Sequence, residues 1–105
     1  MNIEKIRKRF IPMTETMLYI LLSLREEQHG YGVMLHVKEL TNGRILLGAG
    51  TTYQSLKKLE TDGLIRPTKE IERKKLYVIT KIGEQILGEE TIRIREIYKN
   101  LEGLL

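Results

Sequence analysis

Three side chains that could bind DNA recur at helical spacing within residues 48–65. Gln54, Lys57 and Lys58 fall on the side of a predicted helix that lies opposite its apolar residues. An amide can pair bidentately with adenine, and ammonium groups neutralise phosphates. Such a helix suits a DNA groove, although the same pattern is also typical of an ordinary solvated helix face.

The apolar side of this segment predicts how the helix is held. Leu56 and Leu59 share one face with Thr52 and Gly63, so we expect a helix over residues 51–62 that is buried along one narrow stripe. Gly63 also provides a helix exit, since glycine is the usual residue after a helix end.

Two further residues flank the polar face. Tyr53 lies at its border. Thr51 lies near the helix start, where it could direct a hydroxyl or a backbone amide to phosphate, or could act as a simple N-cap.

Positive charge is concentrated in two short segments. Residues 1–9 and 66–75 together hold nine of the 18 Lys and Arg residues but three of the 14 acidic residues, while the whole chain has a net charge of +4. This distribution is expected of a protein that meets a polyanion on one surface, although solvated surface runs can produce it too.

The composition argues against an enzyme or a metal site. The 105 residues include no cysteine, and the two histidines, His29 and His36, belong to no Ser, His and acid arrangement and no metal-ligand spacing. We therefore expect both histidines to be structural, with no catalytic residue, no cofactor and no bound metal. No apolar run approaches the roughly 20 residues of a membrane span, and the basic start lacks a cleavage pattern, so we expect a cytoplasmic protein.

Periodicity predicts a mainly α fold with a small β-hairpin. The order helix, helix, short strand, helix, strand, strand, helix is that of a winged helix-turn-helix, in which the hairpin forms a wing beside the recognition helix. The predicted elements are an amphipathic turn or two at 3–10, a core helix capped by Thr14, a helix with Val33, Val37 and Leu40, a strand at 44–47, the helix at 51–62, strands at 64–69 and 74–79, and a last helix capped by Thr80.

The last helix has an apolar stripe at heptad-like spacing, while Gly83 and Gly88 weaken it on its own. The stripe therefore needs a partner to bury it. We predict one domain over 1–105, divided into a basic helical segment at 1–12, the winged helix-turn-helix at 13–80 and a dimerisation helix at 81–105.

Three separated motifs resemble the PadR-like transcriptional regulators. They are HisGlyTyrGly at 29–32, GlyThrThrTyrGlnSerLeuLysLysLeuGluThrAspGlyLeuIle at 50–65 and ArgLysLysLeuTyrValIleThrLysIleGly at 73–83. The span from the first motif to the last, residues 29–83, is about half of the chain, and the single helix after the wing is similar to the short branch of that family.

The resemblance implies a homodimeric regulator, usually a repressor, that binds an inverted-repeat operator in double-stranded DNA. It implies that Tyr53 and Lys57 meet DNA from the recognition helix and that Tyr31 contacts the DNA backbone, with Arg73, Lys74 and Lys75 forming a basic wing. A small apolar effector that acts through the dimer would fit the same family. The first and last helices would form the dimer interface through Ile3, Ile6, Phe10, Ile94, Ile97, Tyr98, Leu101 and Leu105.

The recognition helix and the wing each depart from the family pattern. Gly48 stands where Ser or Asn is frequent, so we expect a weaker cap on the recognition helix. Glu70 and Glu72 make the wing partly acidic. The acidic wing and the modest net charge of +4 leave open an alternative function, a winged-helix module for protein interaction without specific DNA binding.

Overall fold

Five α-helices and a three-stranded sheet make up residues 2–105, the part of the chain that the computed structural model describes. The elements are α1 (Ile3–Phe10), α2 (Glu15–Ser23), β1 (Gln28–His29), α3 (Gly30–Leu40), α4 (Ala49–Thr61), β2 (Ile65–Ile71), β3 (Lys74–Ile79) and α5 (Lys81–Leu101), with one 3₁₀ turn at Glu102–Leu104.

Helix α2 lies at the centre of the core, as its apolar sequence predicts. The Thr14 hydroxyl accepts a hydrogen bond from the Met17 N–H at 3.2 Å, which confirms the predicted cap. Ile20 and Leu21 have no exposed surface. The core around them consists of Ile6, Phe10, Met13, Leu24, Val33, Val37, Leu56, Leu59, Leu64, Ile65, Tyr77, Ile79 and Ile86.

The two long strands form the predicted hairpin. Strands β2 and β3 are antiparallel, and Glu72 and Arg73 form the turn with φ values of 51° and 66°. The predicted fold class, mainly α with a small β-hairpin, is confirmed, and the sheet has a third strand. Residues Gln28–His29 pair with the other edge of β3, giving the order β1-β3-β2.

The prediction of a strand at 44–47 was wrong. This segment is a loop between α3 and α4 in which Ile45 and Leu47 are half-buried against the core. The Ile45 N–H donates to the Thr41 hydroxyl at 3.0 Å instead of to a neighbouring strand. A short apolar run signalled burial, but burial in a loop that crosses the core gives the same signal as a strand.

The start of helix α5 packs against Gly63 and Leu64, the residues that lead from α4 into β2. The Thr80 hydroxyl accepts from the Gly83 N–H at 3.1 Å, which confirms the predicted cap, and donates to the Gly63 carbonyl at 2.6 Å. Gly83 packs so closely that an added Cβ would lie 2.2 Å from the Leu64 carbonyl oxygen. Its lack of a side chain therefore lets α5 start directly against β2.

A buried carboxylate fixes α5 against the start of α2. Glu90 has no exposed surface, and its side chain accepts from the Met13 N–H at 2.6 Å and from the Arg93 guanidinium. Burial raises the pKa of Glu90, but the hydrogen bonds from Arg93 and Met13 outweigh it, so the net pKa is lowered. The ionised form of Glu90 is therefore part of the folded structure.

Candidate nucleic-acid interface

Helix α4 has the buried stripe and polar face that its spacing predicts. Thr52, Leu56 and Leu59 are at most 1% exposed. Gln54 and Lys57 are exposed on the opposite side. The arrangement leaves an amide and an ammonium group free for contacts outside the chain.

The start of α4 has no side-chain cap. Gly48 is the N-cap residue and can offer no side-chain hydrogen bond, as expected from its type. Thr51 is not an N-cap, because it is the third residue inside the helix and is exposed. The first backbone N–H groups of α4 therefore have no partner within the helix.

Tyr53 joins α4 to the start of α3. An added Cβ at Gly30 would lie 2.7–2.9 Å from Cε1, Cζ and the hydroxyl of Tyr53, so the phenol ring occupies the space that a side chain at this position would need. Tyr53 is nevertheless 53% exposed. Spacing along the chain carried no signal for this contact.

His29 and Tyr31 lie beside this contact. The His29 Nδ1 accepts from the Gly32 N–H at 3.0 Å and so caps α3, which confirms a structural role. The rings of His29 and Tyr31 are stacked, with centroids 6.4 Å apart. Tyr31 is exposed at the N-terminal end of α3. The other histidine, His36, contacts the Ser23 hydroxyl through Nδ1 at 2.9 Å, which is also structural.

The basic residues of the wing project from its turn and from β3. Arg73 forms the turn, and Lys74 and Lys75 follow it, all three exposed. Lys75 lies across the hairpin from Glu70. The acidic residues of the wing thus lie next to its basic residues, as the sequence suggested.

The predicted DNA-contacting cations have no ion-pair partners within residues 2–105. The ion pairs in this part of the chain involve other cations: Arg7, Arg9, Arg44, Lys69 and Arg93. The unpaired cations at the predicted interface are Lys57, Lys58, Arg73, Lys74 and Lys75.

Lys58 differs from Lys57 in its surroundings. Its Nζ lies 5.3 Å from the centroid of the Phe10 ring, a cation–π distance. Lys58 therefore lies at the edge of the polar face that borders α1.

The residues predicted for a dimer interface fall into two groups. Ile94, Ile97, Tyr98, Leu101 and Leu105 are exposed on or just after α5. Ile3 is half-buried, whereas Ile6 and Phe10 are 1% and 3% exposed. Ile6 and Phe10 contribute instead to the core of their own chain, because their side of α1 faces that core, and they have almost no surface for a second copy.

A groove of about 420 Å³ next to the exposed α5 stripe was not predicted. It lies between α2 and α5, and its apolar lining comes from Leu18, Leu22, Leu87 and Ile94.

No group of three or more His, Cys, Asp or Glu side chains within residues 2–105 could hold a metal ion. In the same part of the chain, no helix is both long and apolar enough to cross a membrane.

Comparison with known proteins identifies this architecture. The model of the transcriptional regulator PadR-like family matches residues 5–89. The chain belongs to the PadR-like family. This is a family of transcriptional regulators, not of enzymes, and its winged-helix fold is the one described above.

One curated relative supports the PadR-like assignment. Transcriptional regulator YqjI of Escherichia coli (strain K12) is 31% identical over 97 residues, which are 91% of this chain and 47% of that protein. The chain thus spans about half the length of the curated relative that it matches.

Solved PadR-like structures agree with the fold. Bacillus subtilis PadR in complex with operator DNA is 30% identical, with a TM-score of 0.67 over 75% of this chain and 48% of that chain. A PadR family regulator from Clostridium difficile R20291 is 24% identical, with a TM-score of 0.71 over 87% of this chain and 98% of that chain. The second likeness concerns the fold alone.

Proposed function

We propose that this PadR-like regulator is a homodimeric repressor that binds an inverted-repeat operator through α4. The observation that carries the proposal is the exposed polar face of α4, with Gln54 and Lys57 free of partners and Tyr53 held against Gly30. The operator complex of Bacillus subtilis PadR, a 30% identical protein, supports the same use of this fold here.

Base reading is assigned to Gln54, because an exposed amide can donate to and accept from adenine at once. Tyr53 lies beside it and packs against the other helix of the helix-turn-helix, so we propose that it sets the angle of α4 in the groove.

Phosphate contacts are assigned to the exposed groups around this face. The free ammonium and guanidinium groups attract phosphates whatever the sequence, so they supply affinity and register, not base specificity. The proposed phosphate-contacting residues are Tyr31, Thr51, Lys57, Lys58, Arg73, Lys74 and Lys75.

Dimerisation is proposed to bury the exposed stripe of α5. Ile97, Tyr98 and Leu101 are 42%, 57% and 52% exposed, an apolar surface that is costly to leave in water. A two-fold dimer presents two copies of α4, and an inverted repeat has the matching symmetry.

A small apolar effector is the proposed signal. The groove between α2 and α5 adjoins the stripe that would form the dimer, so a ligand bound there could change the distance between the two copies of α4. A ligand shifts operator affinity only if it binds one dimer geometry more tightly. A thermal-shift screen of apolar compounds tests this, and the idea fails if no compound stabilises the protein.

Binding to chromosomal DNA also implies a cytoplasmic location.

A mobility-shift assay on the promoter region of the protein's own gene tests the proposed function. We expect a sequence-dependent shift that weakens steeply with salt, and loss of the shift in the Lys57→Glu/Lys58→Glu variant. A wild-type protein that does not distinguish this promoter from unrelated DNA would argue instead for the protein-interaction alternative, in which the same variant keeps its partner.

A further inference from the structure

Three basic side chains lie at helical spacing on one side of α1 and are exposed. They are Lys5, Lys8 and Arg9, and we call them the α1 strip. The opposite side of α1 is buried, with Ile6 and Phe10 in the core. Lys5 and Lys8 therefore project from the solvent side of a helix whose orientation is fixed by its core contacts, whereas Arg9 is only partly exposed.

Two contacts fix the end of α1 against the C-terminal half of α4. One is the Lys58 ammonium over the Phe10 ring. The other is the ion pair between Arg9 and Asp62, with an Nη2–Oδ2 distance of 3.1 Å. The Asp62 side chain is fully buried, and within residues 2–105 neither of its oxygens accepts a hydrogen bond of good geometry. Arg9 is therefore the charge that compensates Asp62, and it holds α1 next to α4.

The other two cations of the α1 strip, Lys5 and Lys8, have no ion-pair partner in the part of the chain that the structure describes. Arg7, on the other flank of α1, is bound by Glu4 and by Glu89, and the hydrogen bond with Glu89 is the largest cause of its raised pKa. Within residues 2–105, Arg7 and Arg9 of the basic N-terminal segment thus have ion-pair partners, and Lys5 and Lys8 have none.

The strip continues the proposed DNA-binding face on one side only. Tyr53 borders this face towards Tyr31 and the start of α3, and Lys58 borders it towards α1. Gln54 and Lys57 lie between the two borders. A helix in the major groove has a phosphate backbone on either side of it.

We propose that Lys5 and Lys8, the two unpaired lysines of the α1 strip, form an additional phosphate-binding site, which contacts the DNA strand across the major groove from the strand near Tyr31. The site recognises the phosphodiester backbone and not the bases, because Lys5 and Lys8 offer point charges without a planar donor and acceptor pair. This inference rests on the proposed function and adds a second anchor to it.

The test compares salt dependence in matched variants. Wild type, Lys5→Gln/Lys8→Gln and the control Arg95→Gln/Lys99→Gln are titrated with a specific duplex and an unrelated duplex at several salt concentrations. Both doubles remove two exposed cations, but Arg95 and Lys99 lie on α5, outside its apolar stripe. For the α1 double we expect a slope of log affinity against log salt that is less steep by about 1.8 per bound protomer. Affinity for both duplexes should fall by a similar factor.

The outcomes separate this inference from the proposed function. If wild type selects the specific duplex but the α1 double behaves like the α5 control, only the inference is overturned. If wild type selects no sequence, the proposed function fails and the inference fails with it. Lys5→Arg/Lys8→Arg keeps both positive charges, so it separates loss of charge from loss of folding stability as the cause of weaker DNA binding. If the lysines bind phosphate, this variant should have the salt slope of wild type. A charge-preserving double that remains as weak as the glutamine double also overturns the proposal.

Discussion

The phenol ring of Tyr53 lies where a side chain on Gly30 would have to be, with Cε1 2.7 Å from the position of an added Cβ. This contact connects the second helix of the helix-turn-helix to the N-terminus of the first. The glycine at residue 30 leaves space for the ring in this position, and its backbone is not left-handed.

Gly30→Ala is therefore expected to displace the outer end of the Tyr53 ring, which is 53% exposed and can move towards solvent. Because the atoms that must move are the far end of a flexible side chain, the displacement should cost only about 0.5–1.5 kcal/mol of unfolding free energy, and it should weaken DNA binding, because Tyr53 borders the proposed DNA-binding face. Chemical denaturation measures the first effect. Gly50→Ala is the control, because nothing lies within 4 Å of the added carbon and alanine is the better helix former.

The double variant Gly30→Ala/Tyr53→Ala tests whether contact with the Tyr53 ring causes the stability loss in Gly30→Ala. Removing the ring should recover part of the stability lost in Gly30→Ala, whereas additive losses in the double variant would show that the ring is not what the methyl group meets.

Replacement of His29 tests the cap of α3. His29→Ala should lower the unfolding free energy by about 1 kcal/mol, because the Gly32 N–H loses its acceptor. His29→Asn should lose less, since Asn is itself a strong N-cap residue. Equal losses in the two variants, measured by denaturation at pH 8, would contradict a capping role.

The lowered pKa of Glu90 predicts how folding stability depends on pH. Its pKa is lowered in the folded state by the hydrogen bonds from Arg93 and Met13, which outweigh the effect of burial. The stabilisation of the folded state by ionised Glu90 is therefore complete above the ordinary glutamate pKa of 4.5. It is lost as the pH falls through the lower pKa that Glu90 has in the folded state.

We expect Glu90→Gln to be less stable than wild type by about 1–3 kcal/mol at pH 7, with the difference shrinking below pH 4.5. Thermal unfolding from pH 7 to pH 3 measures this, with Glu96→Gln as an exposed control on the same helix. A constant difference across that range would exclude the ionised carboxylate as the cause.

Ile97→Lys tests the proposed dimer. Ile97 lies in the exposed stripe of α5, so a lysine there should shift the protein from dimer to monomer in sedimentation equilibrium and weaken operator binding. Ile92→Lys is the control, because Ile92 is 68% exposed but lies on the other side of the helix. Dimers of equal stability in both variants would argue against this interface.

Local spacing was sufficient to predict several parts of the fold. The period of Thr52, Leu56 and Leu59 gave the buried stripe of α4, and capping residues located the starts of α2 and α5. These features depend on neighbours in the chain, which is why one sequence is enough to predict them.

Other parts depend on contacts between distant residues, which spacing does not record. The pairing of Gln28 and His29 with β3 adds a strand too short to have a period, while the apolar run at 44–47 is buried without strand partners. Ile6 and Phe10 were assigned to a dimer interface because an apolar helix face has the same pattern whether its own chain or a second copy covers it.

Selection of bound duplexes from a random DNA pool tests the central claim most directly. If α4 reads bases as part of a symmetric dimer, successive rounds should enrich one inverted repeat, with half-sites about one helical turn apart. Gln54→Ala should relax the preference at one position in each half-site, at a cost of about 1–3 kcal/mol. A pool that stays random while the protein remains folded and retains DNA would contradict sequence-specific recognition by this helix.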